Sequence, residues 1–140
     1  MARIKLTLPE KKLFETVLPI QINHINYGNH LGHDQVLTLC QEARLQYFKK
    51  LGQTELQFFG AAIIITEAVL NYLGEGFHGD QLTCTLFQGD QGPRGFEIYY
   101  QLSNLTSGKK VARVKTSLAY YDYQNQTLTS LPQELQLTQF

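Results

Sequence analysis

The chain of 140 residues carries twelve Lys and Arg against twelve Asp and Glu, with 43% hydrophobic and 17% charged residues. That length fits one folded domain spanning residues 1–140, and the composition excludes disorder as a whole-chain description. No run of Lys or Arg exceeds a pair (Lys11-Lys12, Lys49-Lys50, Lys109-Lys110), so the footprint of a nucleic-acid or polybasic membrane-surface protein is missing.

The opening residues lack the apolar core of a signal peptide, and a cytoplasmic location is expected. From Lys12 to Asn23, Leu18, Ile20 and Ile22 alternate with Pro19, Gln21 and Asn23. This predicts a first strand at a sheet edge, because Pro19 has no N–H for a central ladder. Residues 24–34, rich in Asn, Gly and His, read as a loop. Val36, Leu37, Cys40, Ala43, Tyr47, Phe48 and Leu51 then recur at three- and four-residue steps and predict one amphipathic helix over 33–51. Gly32 and Asp34 stand at its positive dipole end, Lys49 and Lys50 in its last turn, and Gly52 beyond it.

The apolar stretch from Phe58 to Ile65 is far short of the roughly 20 residues of a membrane span. Its β-branched residues predict a strand over Gly60–Leu73, although the length also fits a helix. Further strands are predicted at Asp80–Gln88, Gly95–Ser103 and Lys110–Tyr121. In the last, Ala112, Val114, Thr116, Leu118 and Tyr120 take one face and Arg113, Lys115 and Ser117 the other. The Pro132–Gln136 stretch reads as a helical turn or a tail. One helix with a run of antiparallel strands is an α+β pattern. A lone helix covers one face of the sheet, so either the outer face is polar or strands pair across a subunit boundary.

Asn26-Tyr-Gly-Asn-His30-Leu31, Glu42-Ala43-Arg44, Leu51-Gly52, Glu67 to Leu73 and Gly79-Asp80 follow one another along nearly the whole chain. In this order they resemble the hotdog-fold thioesterases of the 4-hydroxybenzoyl-CoA thioesterase type, whose first strand leads into Asp-x-x-Gly-His-(Val or Leu) and then Glu-Ala-Arg. The resemblance implies a hotdog fold, one long central helix wrapped by a curved antiparallel sheet of about five strands. It implies hydrolysis of an acyl thioester, acyl-CoA or acyl-carrier protein, with no cofactor and no metal. It also implies a homodimer or homotetramer whose sheets join edge to edge and whose active sites form at the subunit interface.

The chain departs from the family at the position of its aspartate. Asn26 stands where many members carry an aspartate used as nucleophile or base, and an amide can serve as neither. It can hydrogen-bond the thioester carbonyl or orient a water. By resemblance the carbonyl lies against a backbone N–H near His33, where free amides and the helix dipole favour an oxyanion. The plainer reading is that Gly32 and Asp34 simply begin and cap a helix. Asp34 is either the base or a dipole-complementing surface acid, and the same dipole would make it a weaker base. Glu42 lies on the same helical face as Asp34, and either meets the same cleft or pairs with Gln46 or Arg44.

His30 matches the family's histidine and either holds the loop or transfers a proton. His24 reads as a packed or solvent-facing strand residue, and the spacing of His24, His30 and His33 fits no metal motif. Cys40 and Cys84 read as buried small hydrophobes. Phe58, Phe59, Tyr72 and Phe77 line an acyl tunnel or fill the core. Two other functions keep the same fold: hydration or dehydration using His30 with Glu42, and non-catalytic acyl-CoA binding, which Asn26 makes plausible.

Overall fold

The computed structural model describes residues 2–131, so the Pro132–Gln136 stretch lies outside the described residues. Strand β1 (Lys12–Pro19) is followed by a 3-10 turn (Ile22–His24), helix α1 (Gln35–Lys50), β2 (Ala62–Tyr72), β3 (Gln81–Gly92), β4 (Gly95–Asn104), β5 (Lys110–Asp122) and the short β6 (Thr127–Leu128). The sheet is antiparallel in the order β1-β3-β4-β5-β2, with β6 on the end of β5. The loop and helix between β1 and β2 therefore carry the chain from one edge of the sheet to the other. Pro19 lies on an edge strand, as its missing N–H requires.

Alternation decides what the helix covers. Leu82, Cys84 and Leu86, then Phe96, Ile98, Tyr100 and Leu102, then Ala112, Val114, Thr116, Leu118 and Tyr120 are all buried against α1 or the core around it. The outer face is polar: Lys115 there bridges Glu67 at 2.9 Å and Glu97 at 3.5 Å. From α1 the core takes Val36, Leu39, Cys40, Ala43, Tyr47 and Phe48, and also Arg44. Leu37 was expected on that stripe and is exposed, since Leu39, three residues past Val36, holds the inward angle instead. The helix ends in a Schellman motif, Gln53 N–H to Phe48 O at 2.8 Å and Gly52 N–H to Lys49 O at 3.0 Å. Both cysteines are free and buried; burial first, then the neighbouring Cys84, pushes the Cys40 thiol well up.

The first strand is shorter than its alternation predicts. It stops at Pro19, and Ile22 stands 70% exposed in the 3-10 turn. The turn closes on itself: His24 N–H donates to Gln21 O, while Gln21 N–H donates to His24 Nδ1, both at 2.9 Å. These local bonds replace the ladder, and they put His24 in the core rather than on a strand.

Candidate active site

Between the 3-10 turn and α1 the chain makes a compact loop. An isolated bridge joins Ile25 to Leu31, Leu31 N–H reaches Gly76 O at 2.7 Å, and Gly32 N–H reaches His24 O at 2.9 Å. Inside it, Asn26 Oδ1 accepts the N–H of Gly28 at 2.9 Å and of His30 at 3.4 Å. Those bonds occupy the amide oxygen and leave Nδ2, a donor, for other partners. Asn29 has φ 67°, a left-handed conformation that Asn tolerates better than most side chains, which is how it replaces the glycine of the family motif. His30 Nδ1 lies 3.1 Å from Leu31 O and donates to it, so the ring braces the loop.

Asp34 is the N-cap of α1, but its side chain makes no capping bond. It is exposed and accepts a long 3.4 Å bond from Gln35 Nε2. Gly32 fixes where it lies: a Cβ there would sit 2.8 Å from Asp34 Oδ1 and 3.5 Å from Asn26 Cβ, so the two side chains flank the glycine. The backbone N–H groups of His33 and Asp34 make no hydrogen bond among the described residues. They are the free donors that a helix start offers to negative charge.

Asn26, His30 and His33 line one cavity of about 410 Å³ together with Leu31, Tyr72, Gly74 and Glu75. Tyr72 Oη donates to His33 O at 3.0 Å, tying the end of β2 to the helix start. Burial, and then the Asp34 charge, raise the Tyr72 pKa above its ordinary value. Tyr72 and Glu75 are members of this site that sequence reasoning did not assign to it. Tyr72 stood there as one of four aromatics, and nothing in the pattern of Gly74-Glu75-Gly76 marks a carboxylate as facing the loop. Of the other aromatics, Phe58 is core, Phe59 packs against it, and Phe77 is half exposed.

Glu42 sits elsewhere in the chain. With Thr38 and Gln46 it lines a second groove of about 410 Å³, facing Val17 to Pro19, Gln21 and His24. It accepts from Gln46 Nε2 at 3.2 Å, one of the pairings its spacing allowed. Within one chain His30 and Glu42 therefore line different cavities. Arg44 is buried, donating to Glu55 Oε1 at 2.7 Å and to Tyr100 Oη at 3.0 Å.

A family model described as the thioesterase-like superfamily matches residues 20–138. The chain belongs to the thioesterase-like superfamily. Among solved structures, this thioesterase-like chain is similar to a 1,4-dihydroxy-2-naphthoyl-CoA thioesterase from Synechocystis, with TM-score 0.77 and 19% identity over 86% of this chain and 90% of that one. It is similar to a DHNA-CoA thioesterase from Staphylococcus aureus, with TM-score 0.76 and 18% identity over 84% and 79% of the two chains. A hypothetical protein from Aquifex aeolicus gives TM-score 0.79 and 17% identity over 91% and 99%. No curated protein sequence matches. At these identities the likeness is one of fold, the hotdog arrangement of one helix on an antiparallel sheet. Among the described residues no helix is long and apolar enough to cross a membrane.

Proposed function

We propose that this protein hydrolyses acyl-CoA thioesters at the cavity beside the start of α1. The observation that carries the reading is the meeting of Asn26, His30 and His33 with free backbone donors at a helix N-terminus. Asn26 Nδ2 and the N–H of His33 or Asp34 hold the thioester oxygen as negative charge develops on it. Water attacks the carbonyl carbon and Asp34 accepts its proton. The tetrahedral intermediate then collapses, the C–S bond breaks, and the proton passes to the departing thiolate, giving free acid and thiol. His33 serves through its backbone, and His30 holds the loop.

The active unit in this reading is a homodimer or homotetramer. Support comes from β2, which among the described residues pairs with β5 alone and leaves its other edge open around Ile65, itself 43% exposed. The dehydratase alternative needs His30 and Glu42 from two different chains, because within one chain they line different cavities.

The test is thiol release from a panel of short, long and aromatic acyl-CoAs; the aromatic arm is prompted by the dihydroxynaphthoyl-CoA neighbours. Release that Asp34→Asn abolishes with the fold intact is expected. Absence of release from every substrate overturns the hydrolase reading and favours a binding protein.

A further inference from the structure

We propose that Tyr72 is a positioning residue: its hydroxyl holds the His33–Asp34 peptide so that the Asp34 N–H is the backbone donor that meets the thioester oxygen, an assignment that rests on the acyl-thioester reading above. Tyr72 Oη donates to His33 O at 3.0 Å. That carbonyl and the Asp34 N–H belong to one planar peptide unit, so a bond that fixes the direction of one fixes the direction of the other. The same bond polarises the unit and makes its N–H a stronger donor. Of the two free amides at the helix start, the Asp34 N–H is therefore the one whose peptide a neighbouring side chain holds.

The peptide needs an outside hold because the helix does not supply one. Helix α1 begins at Gln35 with Asp34 as its N-cap, so the His33 carbonyl lies ahead of the helical ladder. The Asp34 side chain makes no capping bond that would fix it from within. Leu31 N–H reaches Gly76 O at 2.7 Å and Gln35 N–H reaches Gly32 O at 3.1 Å, and these bonds flank the peptide without touching it. Among the described residues the Tyr72 hydroxyl is the tie on the peptide itself.

Tyr72 is suited to that task by where it stands. It is the last residue of β2 and pairs with Ala112 of β5. Just past it, Leu73 N–H and Gly74 N–H both donate to Val111 O, at 2.9 and 3.1 Å. A Cβ on Gly74 would meet Lys110 O at 2.6 Å, so the two backbones lie against each other there. The hydroxyl thus projects from a fixed strand end rather than from a loop. Burial, and then the Asp34 charge, keep the phenol protonated and able to donate at neutral pH. A water in place of the hydroxyl would bond the same carbonyl without being anchored to the sheet. Misplacing a group at the reacting centre by about 1 Å costs up to about a hundredfold, so the rate registers a lost tie.

The experiment compares the full chain with Tyr72→Phe, which removes the hydroxyl and keeps the ring that walls the cavity. Tyr72 is half exposed, and melting temperatures check that the variant folds. Steady-state kinetics use the best acyl-CoA. Calorimetry uses two probes: a trifluoromethyl-ketone analogue of that acyl-CoA, whose hydrate presents a tetrahedral oxygen, and the alkyl-CoA thioether of the same length, which has no carbonyl. In Tyr72→Phe kcat is expected to fall about tenfold, less than the loss of a whole oxyanion donor, with KM within about twofold of wild type. Affinity for the ketone falls by a similar factor while affinity for the thioether stays. Unchanged kcat and ketone affinity in a folded variant overturn the proposal. So does an equal loss of both probes, which would mean that Tyr72 only shapes the cavity wall. If wild type hydrolyses no thioester, the hydrolase reading falls and the probes decide alone. A wild-type preference for the ketone that Tyr72→Phe loses then sustains the Tyr72 assignment, and the lack of any such preference overturns it.

Discussion

Asn26 Oδ1 accepts the backbone N–H of Gly28 at 2.9 Å, so the residue that replaces the family's aspartate is wired as a loop acceptor on one end and a donor on the other. Asn26→Ala removes both ends. It is expected to lower the melting temperature and to cut kcat/KM on the best acyl-CoA by about a hundredfold, the usual cost of one oxyanion donor. Asn26→Asp keeps the acceptor and loses the donor, so stability returns while activity stays low. A faster Asn26→Asp enzyme would show that the site works through a carboxylate at this position.

Gly32→Ala tests Asp34 without altering it. The added methyl meets Asp34 Oδ1 at 2.8 Å, and since that atom ends an exposed side chain, the carboxylate swings away rather than the backbone. Stability should change by under about 1 kcal/mol, while kcat falls toward the value for Asp34→Asn. Urea unfolding and single-substrate kinetics on both variants check it. Full activity in Gly32→Ala would remove Asp34 from the mechanism and turn attention to Glu75, which faces the same cavity as Asn26.

The strands of the sheet were legible because burial on one face writes a period of two: Phe96, Ile98, Tyr100 and Leu102 are all buried, as alternation requires. Ile22 misled the same reasoning, since the alternation continues past Pro19 while the His24 ring takes the Gln21 N–H and folds the chain into a turn. Asn26, His30 and His33 are close in sequence and meet in space, so their grouping was readable. Tyr72 and Glu75 join them through the Leu31 N–H bond to Gly76 O and the Tyr72 Oη bond to His33 O, contacts across the fold that no local pattern encodes. Glu42 shares a helical face with Asp34, yet β1 and the 3-10 turn enclose it in a groove of its own.

His24 gives the fold an acid-side dependence. Burial lowers its pKa below the ordinary value of about 6.5, and protonation would also remove the Nδ1 lone pair that accepts Gln21 N–H. A lowered folded pKa means the unfolded chain binds the proton more readily, so the contribution is complete above about pH 6.5 and is lost as pH falls through the folded value. Urea midpoints taken from about pH 8 down to about pH 5 should drop across that window. His24→Gln, which keeps an acceptor but cannot charge, should flatten the drop. An identical slope in the variant would place the titration elsewhere.

Arg44 and Tyr100 link the helix to the sheet through a buried hydrogen bond of 3.0 Å. Burial opposes the Arg44 charge, but Tyr100 and Glu55 more than offset it and raise its pKa overall. Tyr100 Oη also bonds Thr116 Oγ1 at 2.7 Å, so one buried chain of polar atoms joins α1, β4 and β5. Arg44→Met leaves Glu55 without its cation and Tyr100 without a donor, and should cost about 3 kcal/mol in urea unfolding. Burial pushes the Tyr100 hydroxyl up to about 12. Because that folded value exceeds the ordinary one of about 10, Tyr100 supports stability fully below about pH 10 and loses that contribution as pH rises toward the folded value. Tyr100→Phe should be less stable by about 1–2 kcal/mol at neutral pH and show a shallower alkaline slope than wild type. Equal slopes would mean that other tyrosines govern the alkaline transition.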